Sequence, residues 1–157
     1  MRTTCIIPYY NEAHRLSTVL DQIIRVSVID EIVCVDDGSD IDHTSDMRQR
    51  YPMVTFVRHT ENLGKTKAVE SGLERAQGKT IVLIDADLQH CIAEEIEHAI
   101  QLFHSHNMLD MLILRRVNDW LTVRLTRGDV LFTGERIMKR DDLKKIYNKP
   151  IQRWQLE

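Results

Sequence analysis

Short apolar runs alternate along the chain with segments in which apolar residues recur at helical spacing. The runs are predicted to be buried strands because they carry no polar alternation, and they cover residues 3–7, 32–35, 54–57, 81–84 and 111–114. Helices are predicted between them, one of which pairs Leu16 and Leu20 with Ile23 on a single face. Strands that alternate with helices indicate an α/β fold, and we expect a single-domain α/β/α sandwich with a mainly parallel central sheet.

Several boundary residues follow from this pattern. Asn11 or a neighbour is predicted to cap the first helix, and Gly78 is predicted to end the helix that contains Leu73. Beyond residue 114 the pattern is weaker. A further strand is predicted at 130–132, and Asp141 is predicted to cap a last short helix. That helix would turn three apolar residues inward, namely Leu143, Ile146 and Tyr147.

Length and composition narrow the class of protein. The chain has 157 residues, which fits one domain, and it is 43% hydrophobic and 29% charged with a net charge of −3. No broad basic excess points to nucleic acid, so we expect no nucleic-acid partner. No apolar run reaches the ~20 residues of a membrane span. The three cysteines fit no zinc pattern, and Cys5 and Cys34 lie within apolar runs. We therefore expect a cytoplasmic protein, with peripheral contact at the inner face of the membrane as an alternative.

Polar clusters follow three of the predicted strands. They are Pro8–Glu12 after the first strand, Asp36–Ser39 after the second and Asp85–Asp87 after the fourth. Parallel strands end at one edge of their sheet, and ligands of open α/β sheets bind at that edge. We therefore expect the three clusters to form one site.

The sharpest of these clusters is Asp85-Ala86-Asp87. Two carboxylates this close repel each other unless a cation lies between them, and Mg²⁺ or Mn²⁺ prefers such oxygen ligands. Gln89 adds a neutral oxygen two residues later, and His90 is a weaker candidate ligand. An isolated pair of this kind is more often a solvated turn. The buried strand before it and the other clusters favour a metal site.

The remaining clusters suit a nucleotide. The carboxylates of Asp36 and Asp37 can accept hydrogen bonds from a base or ribose, and Pro8–Glu12 offers aromatic rings and a carboxylate. The alternative for each is a plain turn with a helix cap. The segment Asn62–Lys65 places a glycine and a lysine at a helix start, where an anion is favoured, although on its own it is more often structural.

Taken in order, these motifs resemble family 2 glycosyltransferases, closest to the dolichyl-phosphate mannosyltransferase-like branch. The resemblance rests on residues 6–12, 35–39, 62–65 and 85–90, and it covers the chain from residue 3 to about residue 114. It implies a nucleotide-diphospho-sugar transferase fold of the glycosyltransferase A type, a UDP- or GDP-sugar donor, and Mg²⁺ or Mn²⁺.

The resemblance also implies roles for individual residues. Those lining the nucleoside side would be Pro8, Tyr10, Glu12, Asp36, Asp37 and Lys65. Asp85 would face the ribose or sugar and contribute to the metal site, where Asp87 would bind the ion with help from Gln89. The implied reaction is sugar transfer to an acceptor hydroxyl or lipid phosphate, with inversion at the anomeric carbon.

The acceptor side is where the chain departs from the resemblance. The implied division is a donor and metal half, residues 1–114, and a shortened acceptor half, residues 115–157. Glu157, in an aromatic-X-X-Glu pattern that begins at Trp154, and Glu135 are both candidates for the catalytic base. Arg136 is a candidate to stabilise the departing diphosphate. A nucleotidyltransferase and a nucleotide-binding module without turnover are alternative functions.

Overall fold

The computed structural model describes residues 1–89, 92–106, 108–114 and 135–147. Its strands are β1 (Thr3–Tyr9), β2 (Glu31–Asp36), β3 (Val54–Arg58), β4 (Thr80–Leu83), β5 (Met111–Ile113) and β6 (Arg136–Lys139). Its helices are α1 (Ala13–Ile23), α2 (Thr44–Arg50), α3 (Lys65–Arg75), α4 (Ala93–Ser105) and α5 (Arg140–Tyr147).

The strands form one six-stranded sheet in the order β3-β2-β1-β4-β6-β5. The first four strands in that order are parallel, whereas β6 is antiparallel to both β4 and β5. The predicted α/β fold with a mainly parallel sheet is therefore confirmed.

Apolar side chains leave the sheet on both of its faces. Cys5 and Ile7 of β1 pack into a cluster with α1, α2 and α4, whereas Ile6 between them packs with α3 and α5 on the other face. This alternation is inherent to a strand, and it explains why the central strands are apolar throughout. The core therefore lies in two layers, one on each side of the sheet.

The two outer strands differ from the prediction. β5 was expected among parallel neighbours, but β6 separates it from β4, and Met111 and Ile113 are exposed. No strand was predicted at 136–139, because this segment carries charged residues at both ends. Antiparallel pairing with β4 nevertheless buries Ile137 and Met138. The strand predicted at 130–132 lies outside the described residues.

Three predicted boundaries are also corrected. No side chain caps α1, because Asn11 lies in a left-handed turn with φ 57° and its amide instead pairs with Asp40. α3 ends at Arg75, before Gly78 is reached. A Cβ at Gly78 would lie only 2.6 Å from the backbone nitrogen of Thr4, which is too close for any side chain. Gly78 is thus required by packing and does not terminate the helix.

The last helix begins at Arg140, two residues earlier than a cap at Asp141 would place it. Asp141 therefore lies inside its first turn, where a carboxylate is favoured by the helix dipole, and does not cap it. Leu143 is buried and Tyr147 packs against the core, as predicted, but Ile146 is exposed. Among the described helices, none combines the length and apolar character needed to cross a bilayer.

Candidate functional site

A cleft of about 330 Å³ lies where the parallel strands end. Its volume is within the range of ~300–1,000 Å³ usual for small-molecule sites. Residues from the ends of β1, β2 and β4 and from the loop and helix after β3 line it: Pro8, Tyr9, Tyr10, Glu12, Asp37, Asn62, Gly64, Lys65, Ala68, Asp85, Ala86 and Asp87. The predicted clusters after β1, β2 and β4 thus meet at one edge of the sheet, together with the glycine–lysine segment.

The loop after β1 forms one wall of the cleft. Tyr10 is exposed, and Glu12 pairs at the surface with Arg15 at 3.0 Å. The backbone N–H of Asn11 donates to Ser39 Oγ at 2.8 Å, which ties this loop to the loop after β2. Tyr9 also contributes to the cleft lining, and its side chain belongs to the core. Burial, followed by the nearby Asp36 carboxylate, raises the pKa of its hydroxyl well above the usual value.

The two consecutive aspartates after β2 have different surroundings. Asp36 is buried and does not line the cleft. Its carboxylate accepts hydrogen bonds from the backbone N–H of Ser39 at 2.9 Å, from the Ser39 hydroxyl and from the guanidinium of Arg58. Its predicted contact with a nucleoside would therefore have to be indirect, because the side chain holds the turn beneath the cleft.

Asp37 lines the cleft and organises the loop that follows β3. Its Oδ1 accepts from the backbone N–H of Leu63 at 3.0 Å and lies 2.9 Å from Nδ1 of His59, and its Oδ2 accepts from Gly64 N–H at 2.8 Å. Nε2 of His59 lies 2.9 Å from the hydroxyl of Ser71 on α3. One carboxylate therefore links β2, the end of β3 and the start of α3.

His59 and Arg58 were not predicted as site residues. Arg58 ends β3 and His59 follows it, and β3 lies beside β2, the strand that delivers the two aspartates. The parallel register pairs Asp36 with Arg58, which brings these residues together. The pairing of Asp36 with Arg58 cannot be read from residue type or from separation along the chain, because it depends on which strands are neighbours in the sheet.

The Asp-X-Asp cluster lies at the sheet edge where the sequence predicted it, and both aspartates line the cleft. Ala86 is buried, Asp85 is half-buried and Asp87 is exposed, and all three residues line the cleft. The ammonium of Lys65 contacts both oxygens of Asp85, at 3.0 Å to Oδ1 and 3.1 Å to Oδ2. A cation thus already faces one of the two carboxylates.

Within the described residues, no group of three or more His, Cys, Asp or Glu side chains is placed to hold a metal ion. Asp85 and Asp87 nevertheless supply two hard oxygen donors on one wall of the cleft, a set that fits Mg²⁺ or Mn²⁺ when a substrate completes the coordination. Gln89 is exposed and lies outside the cleft lining. His90 lies outside the described residues.

The candidates on the acceptor side are placed only in part. The pairing of Leu83 with Arg136 sets the start of β6 beside the end of β4, at the same sheet edge as the cleft. Glu135 is buried there, and its carbonyl accepts a hydrogen bond from Leu114 N–H at 3.1 Å. Neither Glu135 nor Arg136 lines the cleft, and Glu157 lies outside the described residues.

The chain matches the glycosyl transferase family 2 profile over residues 4–153 and therefore belongs to that family. It is 38% identical over 96 residues to a dolichol-phosphate mannosyltransferase of Pyrococcus furiosus, covering 57% of this chain and 27% of that protein. It is 32% identical over 135 residues to a prophage bactoprenol glucosyl transferase homolog of Escherichia coli, covering 81% of this chain and 43% of that one. The chain thus spans less than half the length of these relatives.

Solved structures share the fold. A mannosyltransferase from Pyrobaculum calidifontis in complex with GDP-Man and Mn²⁺ superposes with a TM-score of 0.72 at 26% identity, over 92% of this chain and 46% of that one. Glucosyl-3-phosphoglycerate synthase from Mycobacterium tuberculosis, in complex with Mn²⁺, UDP and glucosyl-3-phosphoglycerate, superposes with a TM-score of 0.69 at 20% identity, over 89% of this chain and 57% of that one. The predicted glycosyltransferase A-type fold is confirmed.

Proposed function

We propose that this chain binds a UDP- or GDP-sugar together with Mg²⁺ or Mn²⁺ in the cleft and transfers the sugar to an acceptor hydroxyl or lipid phosphate. The observation that carries the proposal is the meeting of Asp37, Lys65, Asp85 and Asp87 around one cleft at the carboxyl edge of a parallel sheet. Membership of glycosyl transferase family 2 supports the class of reaction. Relatives named for dolichyl-phosphate and bactoprenol sugar transfer support a lipid phosphate as the acceptor.

The nucleoside would lie along the wall formed by Pro8, Tyr10, Glu12 and Asp37. An ionised carboxylate such as that of Asp37 accepts hydrogen bonds but cannot donate them, so it suits an N–H group of a base. The hydrogen bonds from His59, Leu63 and Gly64 hold this carboxylate in place before the donor arrives. Prior orientation lowers the entropy that binding must remove.

The diphosphate would lie between Lys65 and the Asp-X-Asp cluster. Asp85 and Asp87 would hold the divalent ion, which when bound supplies positive charge where negative charge develops on the leaving diphosphate. Lys65, the first residue of α3, would contact the same phosphates. Asp36 would act beneath the cleft, where it keeps the turn that presents Asp37 in shape.

On the acceptor side, Glu135 is the candidate base that the described residues contain. A carboxylate near the anomeric carbon would accept the proton of an acceptor hydroxyl and favour inverting displacement. Arg136, one residue further, would neutralise charge on the departing diphosphate. Glu157 is the alternative base.

Calorimetry tests the donor half directly. Titration of the protein with UDP and with GDP, each with and without Mn²⁺, should show metal-dependent binding of at least one nucleotide. Asp87→Ala should abolish the metal dependence, whereas the control Asp46→Ala, in α2 away from the cleft, should bind like the unaltered protein. Unchanged nucleotide affinity in Asp87→Ala would refute the metal assignment.

A further inference from the structure

Lys65 places its ammonium against both oxygens of the carboxylate that the proposed metal needs. The two contacts to Asp85 are 3.0 and 3.1 Å long, and the pair joins the start of α3 to the end of β4 across the cleft. The lysine side chain is 41% exposed and that of Asp85 is 24% exposed, so both remain accessible to a ligand. A divalent ion approaching Asp85 would therefore compete with this lysine.

The backbone that carries Lys65 is held by other interactions. Leu63 and Gly64 donate their N–H groups to Asp37, and the carbonyl of Gly64 accepts from Lys67 and Ala68 in the first turn of α3. The ion pair with Asp85 is not needed for this anchoring. The flexible lysine stem can therefore change partner while the loop and helix stay in place.

Asp87 lacks a comparable partner. Its side chain makes no hydrogen bond or ion pair with another described residue, although it lines the same cleft. Before the donor binds, one carboxylate of the pair is thus neutralised by an ammonium and the other faces solvent. Two carboxylates, one of them occupied, form a poor site for a divalent ion.

A nucleoside diphosphate would alter this balance, because it supplies anionic oxygens to both cations. We propose that in the donor-free protein Lys65 occupies the carboxylate of Asp85 and so hinders metal binding there, and that Lys65 moves to the diphosphate when the donor enters. Metal and nucleotide binding are therefore cooperative. This inference rests on the proposed function. Lys65 is thereby a positioning residue that controls when Asp85 becomes a metal ligand.

Paramagnetic resonance of free Mn²⁺ tests this coupling without any turnover. The full chain is titrated with Mn²⁺ alone and then in the presence of UDP or GDP. In the unaltered protein the nucleotide should strengthen Mn²⁺ binding. In Lys65→Met, Mn²⁺ alone should bind about three- to fivefold more tightly, as expected from removal of a competing exposed ion pair, and the strengthening by nucleotide should shrink.

Two variants serve as controls. Lys67→Met removes a lysine from the same helix that pairs with Glu70, and it should behave like the unaltered protein. Lys65→Arg keeps a cation at the cleft and should retain the cooperative behaviour. Circular dichroism of each variant verifies that it is folded.

The outcomes separate the inference from the proposed function. If Lys65→Met leaves the affinity for Mn²⁺ alone unchanged or weaker while Asp87→Asn abolishes Mn²⁺ binding, the inference is overturned and the metal site stands. If the unaltered protein binds no Mn²⁺ with either nucleotide, both are overturned. Tighter binding of Mn²⁺ by Lys65→Met and not by Lys67→Met supports the inference.

Discussion

Nδ1 of His59 lies 2.9 Å from Oδ1 of Asp37, and this contact joins the end of β3 to the carboxylate that lines the cleft. On its other side the imidazole reaches Ser71 of α3 at 2.9 Å. The ring is therefore held at both nitrogens between a strand end and a helix. The position of Asp37 depends on a residue that does not itself line the cleft.

Replacement of His59 should weaken nucleotide binding through Asp37. In His59→Ala the carboxylate loses one of its hydrogen-bond partners, so we expect a loss of about 1 kcal/mol in stability and a several-fold weaker affinity for nucleotide. His59→Asn, which can still donate a hydrogen bond, should recover part of the affinity. Calorimetry with UDP and GDP measures this, with the exposed His14→Ala as control. Equal affinity in His59→Ala and the unaltered protein would show that Asp37 needs no such support.

Arg58 should be required for stability because it pairs with the buried Asp36. Arg58→Met leaves that carboxylate without its cation, and we expect a loss of about 2 kcal/mol, less than for a fully buried pair because the Arg58 side chain is 28% exposed. Urea denaturation provides the measurement. The double variant Asp36→Asn with Arg58→Met should recover part of the loss, and a double variant less stable than Arg58→Met alone would contradict this account.

Gly38 should not tolerate any side chain. Its φ is 74°, and a Cβ would lie 2.4 Å from the carbonyl carbon of Glu61 in the loop after β3. Gly38→Ala should therefore cost about 2 kcal/mol or more and displace the loop that Asp37 holds. Gly38→Asn distinguishes the two causes, since asparagine accepts a positive φ but keeps the Cβ. We expect it to be as unstable as Gly38→Ala in urea denaturation, and recovery in Gly38→Asn would instead identify the backbone angle as the cause.

The hydroxyl of Tyr9 should make stability depend on alkaline pH. Burial, then Asp36, raises the pKa of this group in the folded chain above its unfolded value of about 10. Its contribution is therefore fully present below pH 10 and is lost as the pH rises further, because unfolding then releases a proton. Tyr9→Phe should lose less stability than the unaltered protein between pH 9 and pH 11 in urea titrations. The same pH dependence in Tyr9→Phe as in the unaltered protein would contradict the assignment.

Much of the fold could be predicted from the sequence because hydrophobic periodicity is local. The apolar runs of β1 to β4 and the stripe on α1 specify their elements without knowledge of any neighbour. The clusters after those strands could likewise be assigned to one edge, since parallel strands share a direction. The positions of Asp37, Lys65 and Asp85 at one cleft follow from that rule.

What could not be predicted depends on pairing between distant segments. β6 carries a short and partly charged sequence, and only its antiparallel register with β4 makes it a strand and brings Glu135 to the same edge. The same holds for the separation of Asp36 from Asp37, which look equivalent in the sequence. Both are buried, but Asp36 pairs with Arg58 away from the cleft, whereas Asp37 lines the cleft and binds the loop after β3.

By itself, the sequence determined the order of the elements, the apolar layers and the edge at which the polar clusters gather, because these follow from residue type and spacing along the chain. The tertiary structure alone decided which side chains face one another there: Lys65 against Asp85, His59 against Asp37 and Arg58 against Asp36. Such pairs join residues about 20 or more positions apart, and their energies depend on distance and burial, which only the folded chain defines.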